Sequence, residues 1–136
     1  MDKEVTVRER VEDYLGAICR LRVTAELPVP LSLLGEHFGF SHVSIHEMIL
    51  KLSQQGWIHY YPYRGVTLSA QGEAVALALL RRHRLWERFL TDMLDVPWAE
   101  AHEIAGALEH AAPESVTERL SALLGDPVSC PHGVPI

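Results

Sequence analysis

The sequence is poor in cysteine and has no long apolar run. Its 136 residues include two cysteines, Cys19 and Cys130, and two are too few for a disulfide framework. No stretch approaches the roughly 20 apolar residues that a membrane-spanning helix needs. The segment 1–10 is charged throughout and lacks the apolar core of a secretory signal. We therefore expect a cytoplasmic protein with reduced thiols.

Motifs of several enzyme classes are missing as well. The chain has no glycine-rich phosphate loop, no His-Glu-x-x-His pattern and no convincing nucleophile elbow. We therefore expect the chain not to be an enzyme. A metal-dependent enzyme is the alternative from another class, because sets of histidine and glutamate also build hydrolytic metal sites.

An excess of positive charge, which would point to nucleic acid, is also lacking. The net charge is −6, but it is unevenly distributed. Residues 1–68 carry seven Lys and Arg against eight Asp and Glu, whereas residues 69–136 carry five against ten. Because salt screens charges beyond about 8 Å, an acidic second half costs a DNA-binding first half little. Charge alone decides nothing here.

Apolar spacing and chain-breaking residues predict three helices in the first half. Apolar residues recur at helical intervals over 7–21. After the prolines near residue 30, we expect Ser32 to cap a short helix that runs through residue 38 and ends at Gly39. Ser41 is placed to cap a third helix that runs to about Gln55. Its buried side is expected to hold Ile45, Met48, Ile49 and Leu52.

A small β-hairpin is expected after the third helix. Aromatic and β-branched residues at 57–61 and 66–68 flank a turn of Pro62, Tyr63, Arg64 and Gly65. Three helices followed by a hairpin predict a winged helix-turn-helix, whose third helix enters the major groove of DNA.

The second half is expected to be entirely helical. We predict helices at about 70–94, 95–112 and 114–124, with an extended tail at 126–136. The fold class is thus mainly α, with a winged helix-turn-helix in the first half and an all-helical second half.

The candidate DNA-contacting residues lie at the start of the third helix and at the hairpin turn. Small and polar residues there suit groove entry, lysine neutralises phosphate, and an arginine at the turn suits a phosphate or the minor groove. The alternative is an ordinary solvated helix face and turn. The candidates are Ser41, His42, Val43, Ser44, His46, Glu47, Lys51 and Arg64.

Potential metal ligands are concentrated in the second half. His83 and Glu87 are four residues apart and share a helix face. His102, Glu109 and His110 fall within one arc of about 100° if they belong to one helix. Facing helices that present His and Glu are how metal sites are built in helical bundles. This donor set suits divalent Mn, Fe, Co, Ni or Zn.

Each of these groups also has an ordinary structural interpretation. His83 lies in a run of arginines and would then be solvated, while Glu87 would pair with Arg84 or Arg88. His102 and Glu103 would form a polar helix face. A further candidate is Asp13, a carboxylate at the margin of the first helix's apolar stripe, where it needs a partner.

Four segments together resemble the diphtheria toxin repressor and manganese transport repressor family: 60–68, 82–90, 108–110 and 130–136. The resemblance covers essentially the whole chain. It implies a DNA-binding domain at 1–70 and a helical metal-binding and dimerisation domain at 71–136. It further implies a homodimeric repressor of metal homeostasis genes that binds a palindromic double-stranded DNA operator. The apolar candidates for the dimer contact are Leu85, Trp86, Phe89, Leu90, Ile104 and Leu108, although most must belong to the internal core. The implied cofactor is a divalent transition metal, Mn or Fe first, with Zn, Co or Ni binding in vitro.

The resemblance also implies two metal positions. His83, Glu87 and His102 match the ancillary site of iron-sensing members, and Asp13, Glu109 and His110 match the primary site. In manganese-sensing members, His83 and Glu109 belong instead to a closely spaced pair of ions. Asp13 is the manganese-type residue, where iron-type members have methionine.

The chain departs from the family pattern at two ligand positions. Gly16 stands where the manganese branch has a ligand glutamate, and Gly106 where the family has cysteine or glutamate. A water molecule, Cys130 or His132 is a candidate replacement. Longer members continue into an SH3-like domain beyond the point where this sequence stops. These departures keep a second interpretation open, a winged-helix regulator that does not sense metal.

Overall fold

The structure, a computed structural model, describes residues 7–128. Over that range it consists of six α-helices and one two-stranded antiparallel sheet. The helices are α1 (Val7–Leu21), α2 (Leu31–Phe38), α3 (His42–Gln54), α4 (Ala70–Leu94), α5 (Trp98–Leu108) and α6 (Glu114–Leu123), and the strands are β1 (Ile58–Tyr61) and β2 (Gly65–Leu68). The mainly α fold with a winged helix-turn-helix is confirmed. Within this range, none of the helices combines the length and apolarity needed to cross a membrane.

The chain divides into two compact units, Met1–Leu77 and Ala78–Ile136. The long helix α4 therefore begins in the first unit and continues through the second. The core of the first unit joins α1, α2, α3 and the hairpin, because apolar residues at helical spacing on each helix turn inward. Its fully buried side chains include Leu15, Ile18, Leu34, Ile45, Ile49, Leu52 and Val66.

The caps of α2 and α3 differ. Ser41 caps α3 as expected, since its Oγ accepts a hydrogen bond from the Ser44 N–H at 3.2 Å. The prediction that Ser32 caps α2 is wrong, because α2 begins at Leu31 with Pro30 as its N-cap and no side-chain cap. Proline fits a helix start because its fixed φ suits the first turn and its missing N–H has no helical partner to lose there. Gly39 ends α2 in the left-handed conformation, with φ of 70°.

The hairpin is held to the first unit's core by a residue from the α1–α2 connection. Val29 and Val66 exchange two backbone hydrogen bonds of 2.9 Å, which adds a bridge beside β2. Gly65, with φ of 140°, passes so close to Val29 that a Cβ there would collide with the Val29 carbonyl. The turn is therefore anchored at its base rather than by its own two strands alone.

The second unit packs the C-terminal part of α4 with α5 and α6. Leu90, Ala101 and Ala105 are buried together, and Trp86, Val96 and Leu108 pack against them. The Arg81 Nη1 donates to Glu118 Oε1 at 2.8 Å, which links α4 to α6.

One expectation for this unit is wrong, and the set of candidates for a dimer contact becomes smaller. Helix α5 ends at Leu108 rather than near residue 112, with Glu109 as its C-cap. Leu85 and Leu90 are only 0% and 5% exposed, so they belong to the internal core and offer no surface for dimer contact. Trp86, Phe89 and Leu108 are partly buried and Ile104 is exposed.

Candidate metal centre and nucleic-acid interface

Three predicted metal ligands converge in the second unit. His83 and Glu87 lie one turn apart on α4, and His102 comes from the first part of α5. Each offers a ligand atom, and these atoms all lie within 4.8 Å of one another. The two Glu87 carboxylate oxygens lie 3.3 Å from His83 Nε2 and 3.3 Å from His102 Nδ1, and the two imidazole nitrogens are 3.1 Å apart. Helical spacing predicted that His83 and Glu87 share a face of α4, and the position of α5 brings His102 to the same point.

A second carboxylate orients the central imidazole. His83 Nδ1 lies 2.6 Å from Glu109 Oε2. Because an ionised carboxylate only accepts hydrogen bonds, Nδ1 carries the proton and Nε2 is turned toward Glu87 and His102. A carboxylate behind a ligating histidine fixes the ring and makes it a better ligand. Glu109 thus supports His83 from beyond the end of α5.

Arg82 holds Glu109 in turn. Its Nε donates to the Glu109 backbone carbonyl at 2.7 Å, and the Arg82 residue is 8% exposed. Arg82 was not predicted as part of the site, because it lies in a run of arginines that suggests solvent exposure. A signal was available, since Arg82 falls three residues after Leu79 and four before Trp86 along the helix.

The charges around His83 favour its protonated form when no ion is bound. Burial lowers the His83 pKa, but hydrogen bonds and charge attraction from Glu109 and Glu87 outweigh burial, and the pKa is raised above 6.5. Glu87 and Glu109 are 2% and 7% exposed, so these carboxylates lie largely out of water. Buried carboxylates need a cation. The His83 and His102 imidazoles and the Glu87 carboxylate form a donor set that suits a divalent transition ion.

The His110 imidazole lies beside the Glu109 carboxylate. His110 Nε2 is 3.6 Å from Glu109 Oε1, so Glu109 faces His83 with one oxygen and His110 with the other. His110 follows the end of α5 and is not on the helical stripe predicted for it. Asp13 lies half-buried on α1, in the first unit. Cys130 and His132 lie outside the described residues.

The solvated interpretations of this cluster fail on its buried members. His83 is buried despite its arginine-rich neighbourhood. Arg88 pairs with Asp92 at 2.9 Å, while Glu87 contacts the two histidines. The His102 side chain is 59% exposed, yet its Nδ1 faces the cluster. Beside it on α5, a Cβ at Gly106 would meet nothing within 4 Å, so a side chain there is sterically allowed.

The predicted DNA-contacting residues all lie in the first unit, and the structure leaves most of them in solvent. Ser41 is the exception in role, because its hydroxyl is engaged by the Ser44 backbone and side chain. Val43 is 65% exposed. The exposed members are Ser41, His42, Val43, Ser44, Glu47, Lys51 and Arg64, and His46 is half-buried.

Two grooves flank α3 in the first unit. One, of about 500 Å³, lies between the start of α3 and the hairpin and is lined by His42, His46, Tyr60 and Arg64 among others. The other, of about 270 Å³, includes Arg10, Glu47 and Lys51. Tyr60, which the sequence analysis did not single out, meets the His46 ring edge-on with centroids 5.9 Å apart.

Comparison with known proteins places the chain in one family. The profile described as "Iron dependent repressor, N-terminal DNA binding domain" matches residues 6–66, and "Iron dependent repressor, metal binding and dimerisation domain" matches residues 69–136. The iron-dependent repressor IdeR of Mycobacterium leprae is 31% identical over 128 residues, which are 94% of this chain and 55% of that protein. The diphtheria toxin repressor of Corynebacterium efficiens is 30% identical over the same length and the same shares.

Solved structures agree with this assignment. A manganese-dependent transcriptional repressor in complex with manganese is 39% identical, with a TM-score of 0.85 over 93% of this chain and 57% of that one. ScaR with bound Zn²⁺ is 32% identical, with a TM-score of 0.80 over 93% and 58%. The chain thus spans a little over half the length of these relatives. The family resemblance seen in the sequence is confirmed: the chain belongs to the iron-dependent repressor family.

Proposed function

We propose that this chain is a metal-dependent, DNA-binding transcriptional repressor of metal homeostasis genes. The observation that carries the proposal is the convergence of buried His83 and Glu87 with His102, with Glu109 behind His83. The same chain presents a capped helix with exposed polar residues beside a hairpin. We propose a binding function in the cytoplasm and no catalysis, in keeping with a family of DNA-binding regulators.

The division of labour follows the two matched profiles. We assign DNA binding to residues 1–70 and metal binding and dimerisation to residues 71–136, and the matches at residues 6–66 and 69–136 support this division. The partner is a palindromic double-stranded operator, read by a homodimer whose two α3 helices stand about 34 Å apart, one turn of DNA. We assign the dimer contact to the candidates that are not fully buried in the internal core: Trp86, Phe89, Ile104 and Leu108.

The metal is a divalent transition ion, with Mn or Fe the expected physiological ions and Zn, Co or Ni able to bind in vitro. His83, Glu87 and His102 would hold one ion, which supplies the positive charge that the buried carboxylates need. From the family resemblance, Asp13, Glu109 and His110 form the second site. Glu109 then has two roles, as ligand through one oxygen and as orienting partner of His83 through the other.

Asp13 is the proposed switch residue. It belongs to the first unit, whereas Glu109 and His110 belong to the second. An ion bound by all three residues would restrict the arrangements of the two units. It would thereby lower the free energy needed to adopt the arrangement that binds DNA. Linkage requires DNA to tighten metal binding by the same factor, typically about 1–3 kcal/mol of coupling.

Fluorescence anisotropy tests the proposal. Protein from which metal has been removed with a chelator is titrated with DNA from upstream of its own gene, at one stated salt concentration. Mn, Fe, Co or Zn ions are then added in turn. We expect tight binding only with metal. Equal binding with and without metal, on DNA shown to be specific, would favour a winged-helix regulator that does not sense metal.

The Asp13→Ala variant tests the switch. We expect it to lose metal-enhanced DNA binding while the dimer stays intact by sedimentation. Glu36→Ala is the matched control, since Glu36 is an exposed acidic residue elsewhere in the first unit. An Asp13→Ala protein with the wild-type ratio of affinities with and without metal would refute the role given to Asp13.

A further inference from the structure

The elements proposed to contact DNA carry almost no permanent positive charge. Residues 29–68, which span α2, α3 and the hairpin, contain two Lys or Arg, two Asp or Glu and four histidines. Proteins that bind the DNA backbone neutralise phosphates, ordinarily with Lys and Arg. Histidine is the side chain that ordinarily changes its charge between pH 5 and 8. Any further positive charge in this segment near neutral pH therefore comes from imidazole.

Two of these four histidines line one groove. His42 and His46 lie one turn apart on α3, with stacked rings whose centroids are 6.1 Å apart. The groove continues to Tyr60 on β1, which meets the His46 ring, and to Arg64 in the turn. His42 and Arg64 are exposed and His46 is half-buried, so a ligand in the groove can reach all three.

The polar side chains near the two rings come from two elements. The hairpin contributes Tyr60, Tyr63 and Arg64, and the start of α2 contributes Ser32, which does not titrate near neutral pH. On α3 itself, Glu47 follows His46 but lines the other groove, with Arg10 and Lys51. The described lining of the first groove thus holds one permanent cation, two imidazoles and no carboxylate.

We propose that this groove is a binding site for a DNA backbone phosphate, and that His42 and His46 take up protons when the phosphate binds. The inference rests on the proposed function and adds a proton linkage to it. A phosphate beside an imidazole favours the charged form of the ring. Arg64 supplies the permanent part of the attraction, and the histidine pair supplies a part that is lost as pH rises. Operator affinity then depends on pH through the DNA-binding surface itself.

The test is operator affinity between pH 6.0 and 7.5, measured by anisotropy at constant salt and saturating Mn²⁺. For each proton fully taken up on binding, the association constant falls tenfold for every unit by which the pH rises. For partial uptake at two rings, we expect the wild-type affinity to fall about tenfold more over this range than that of the His42→Gln/His46→Gln variant. Calorimetry in two buffers of different ionisation enthalpy should show proton uptake by the wild type and little by the variant.

Two further variants make the result decisive. His42→Arg/His46→Arg should bind tightly with a flat pH dependence, because its charge is permanent. The arginine double variant therefore still tests the proton linkage if the glutamine double variant binds too weakly to measure. His37→Gln, which changes an exposed histidine on α2 outside the groove, should keep the wild-type dependence. All variants share the same second unit, so pH effects on its metal cluster are common to them.

The outcomes separate the two proposals. A wild-type pH dependence that persists in the glutamine and arginine pairs, with metal-dependent binding intact, would overturn the proton linkage and leave the proposed function standing. Wild-type protein that fails to bind its operator with metal at any pH would overturn the proposed function, and the linkage with it.

Discussion

Replacing Glu87 with glutamine should remove most of the stabilisation that metal gives this protein. Glu87 is 2% exposed, and its two oxygens lie 3.3 Å from His83 Nε2 and 3.3 Å from His102 Nδ1. Glutamine keeps the shape of the side chain but has no charge, and an amide nitrogen that cannot bind a metal replaces one of the two oxygens. Even changes to residues behind metal ligands commonly cost 10- to 100-fold in affinity. We therefore expect the metal dissociation constant at this site to rise about 100-fold.

The expected stability change follows from linkage. An ion at a concentration 100 times its dissociation constant stabilises the folded state by about 2.7 kcal/mol. After a 100-fold loss of affinity, the same concentration contributes only about 0.4 kcal/mol. For a chain of this size, the gain in Tm on adding Mn²⁺ should shrink from about 10 °C to about 2 °C.

Scanning calorimetry with and without Mn²⁺ measures the difference, and titration calorimetry counts the ions bound. Glu103→Gln is the matched control, because Glu103 is an exposed acidic residue next to His102 on the same helix. It should keep the full metal-induced gain. If Glu87→Gln shows the same gain and the same number of bound ions as the wild type, the assignment of this cluster as a metal site is wrong.

Five further substitutions test local features of the structure. Ser41→Ala should cost about 1 kcal/mol in urea unfolding through loss of the α3 cap, whereas Ser32→Ala should cost under about 0.5 kcal/mol; equal losses would contradict the cap assignment. Gly65→Ala should destabilise the first unit by roughly 2 kcal/mol or more because of its φ and its blocked Cβ position, whereas Gly106→Ala, in open space on α5, should stabilise by up to about 1 kcal/mol. Arg82→Gln should weaken metal binding about tenfold by releasing the backbone carbonyl at the end of α5, and an unchanged affinity in titration calorimetry would show that this hydrogen bond does not position the cluster.

Local sequence signals predicted the first unit well where short-range chemistry decides the structure. Helix α1 has the bounds that its apolar spacing predicts, and Ser41 caps α3 where its side chain can reach the N–H three residues on. The failure at Ser32 has the same origin, since Pro30 starts α2 without needing a side-chain cap. The prolines near residue 30 predicted only a break in the chain, but α2 begins directly after Pro30, which leaves Ser32 inside its first turn.

The pairing of Val29 with Val66 could not be predicted in this way. The two residues are far apart in sequence, and the prolines on either side of Val29 suggested only a break in the chain. Packing against the hairpin turns that connection into part of the sheet, and it also explains why Gly65 must be glycine. Long-range backbone pairing leaves no periodic trace in a single segment.

For the metal centre, the sequence by itself determined which residues share a helix face, and the tertiary structure decided which of them meet. The spacing of His83 and Glu87 fixes them on one side of α4 because an α-helix repeats every 3.6 residues. That His102 closes the group, that Glu109 stands behind His83 after α5 ends, and that Arg82 is buried rather than solvated all depend on how α5 packs on α4. Helical periodicity is a local property of the backbone, whereas burial and contact between helices depend on side chains distant in sequence.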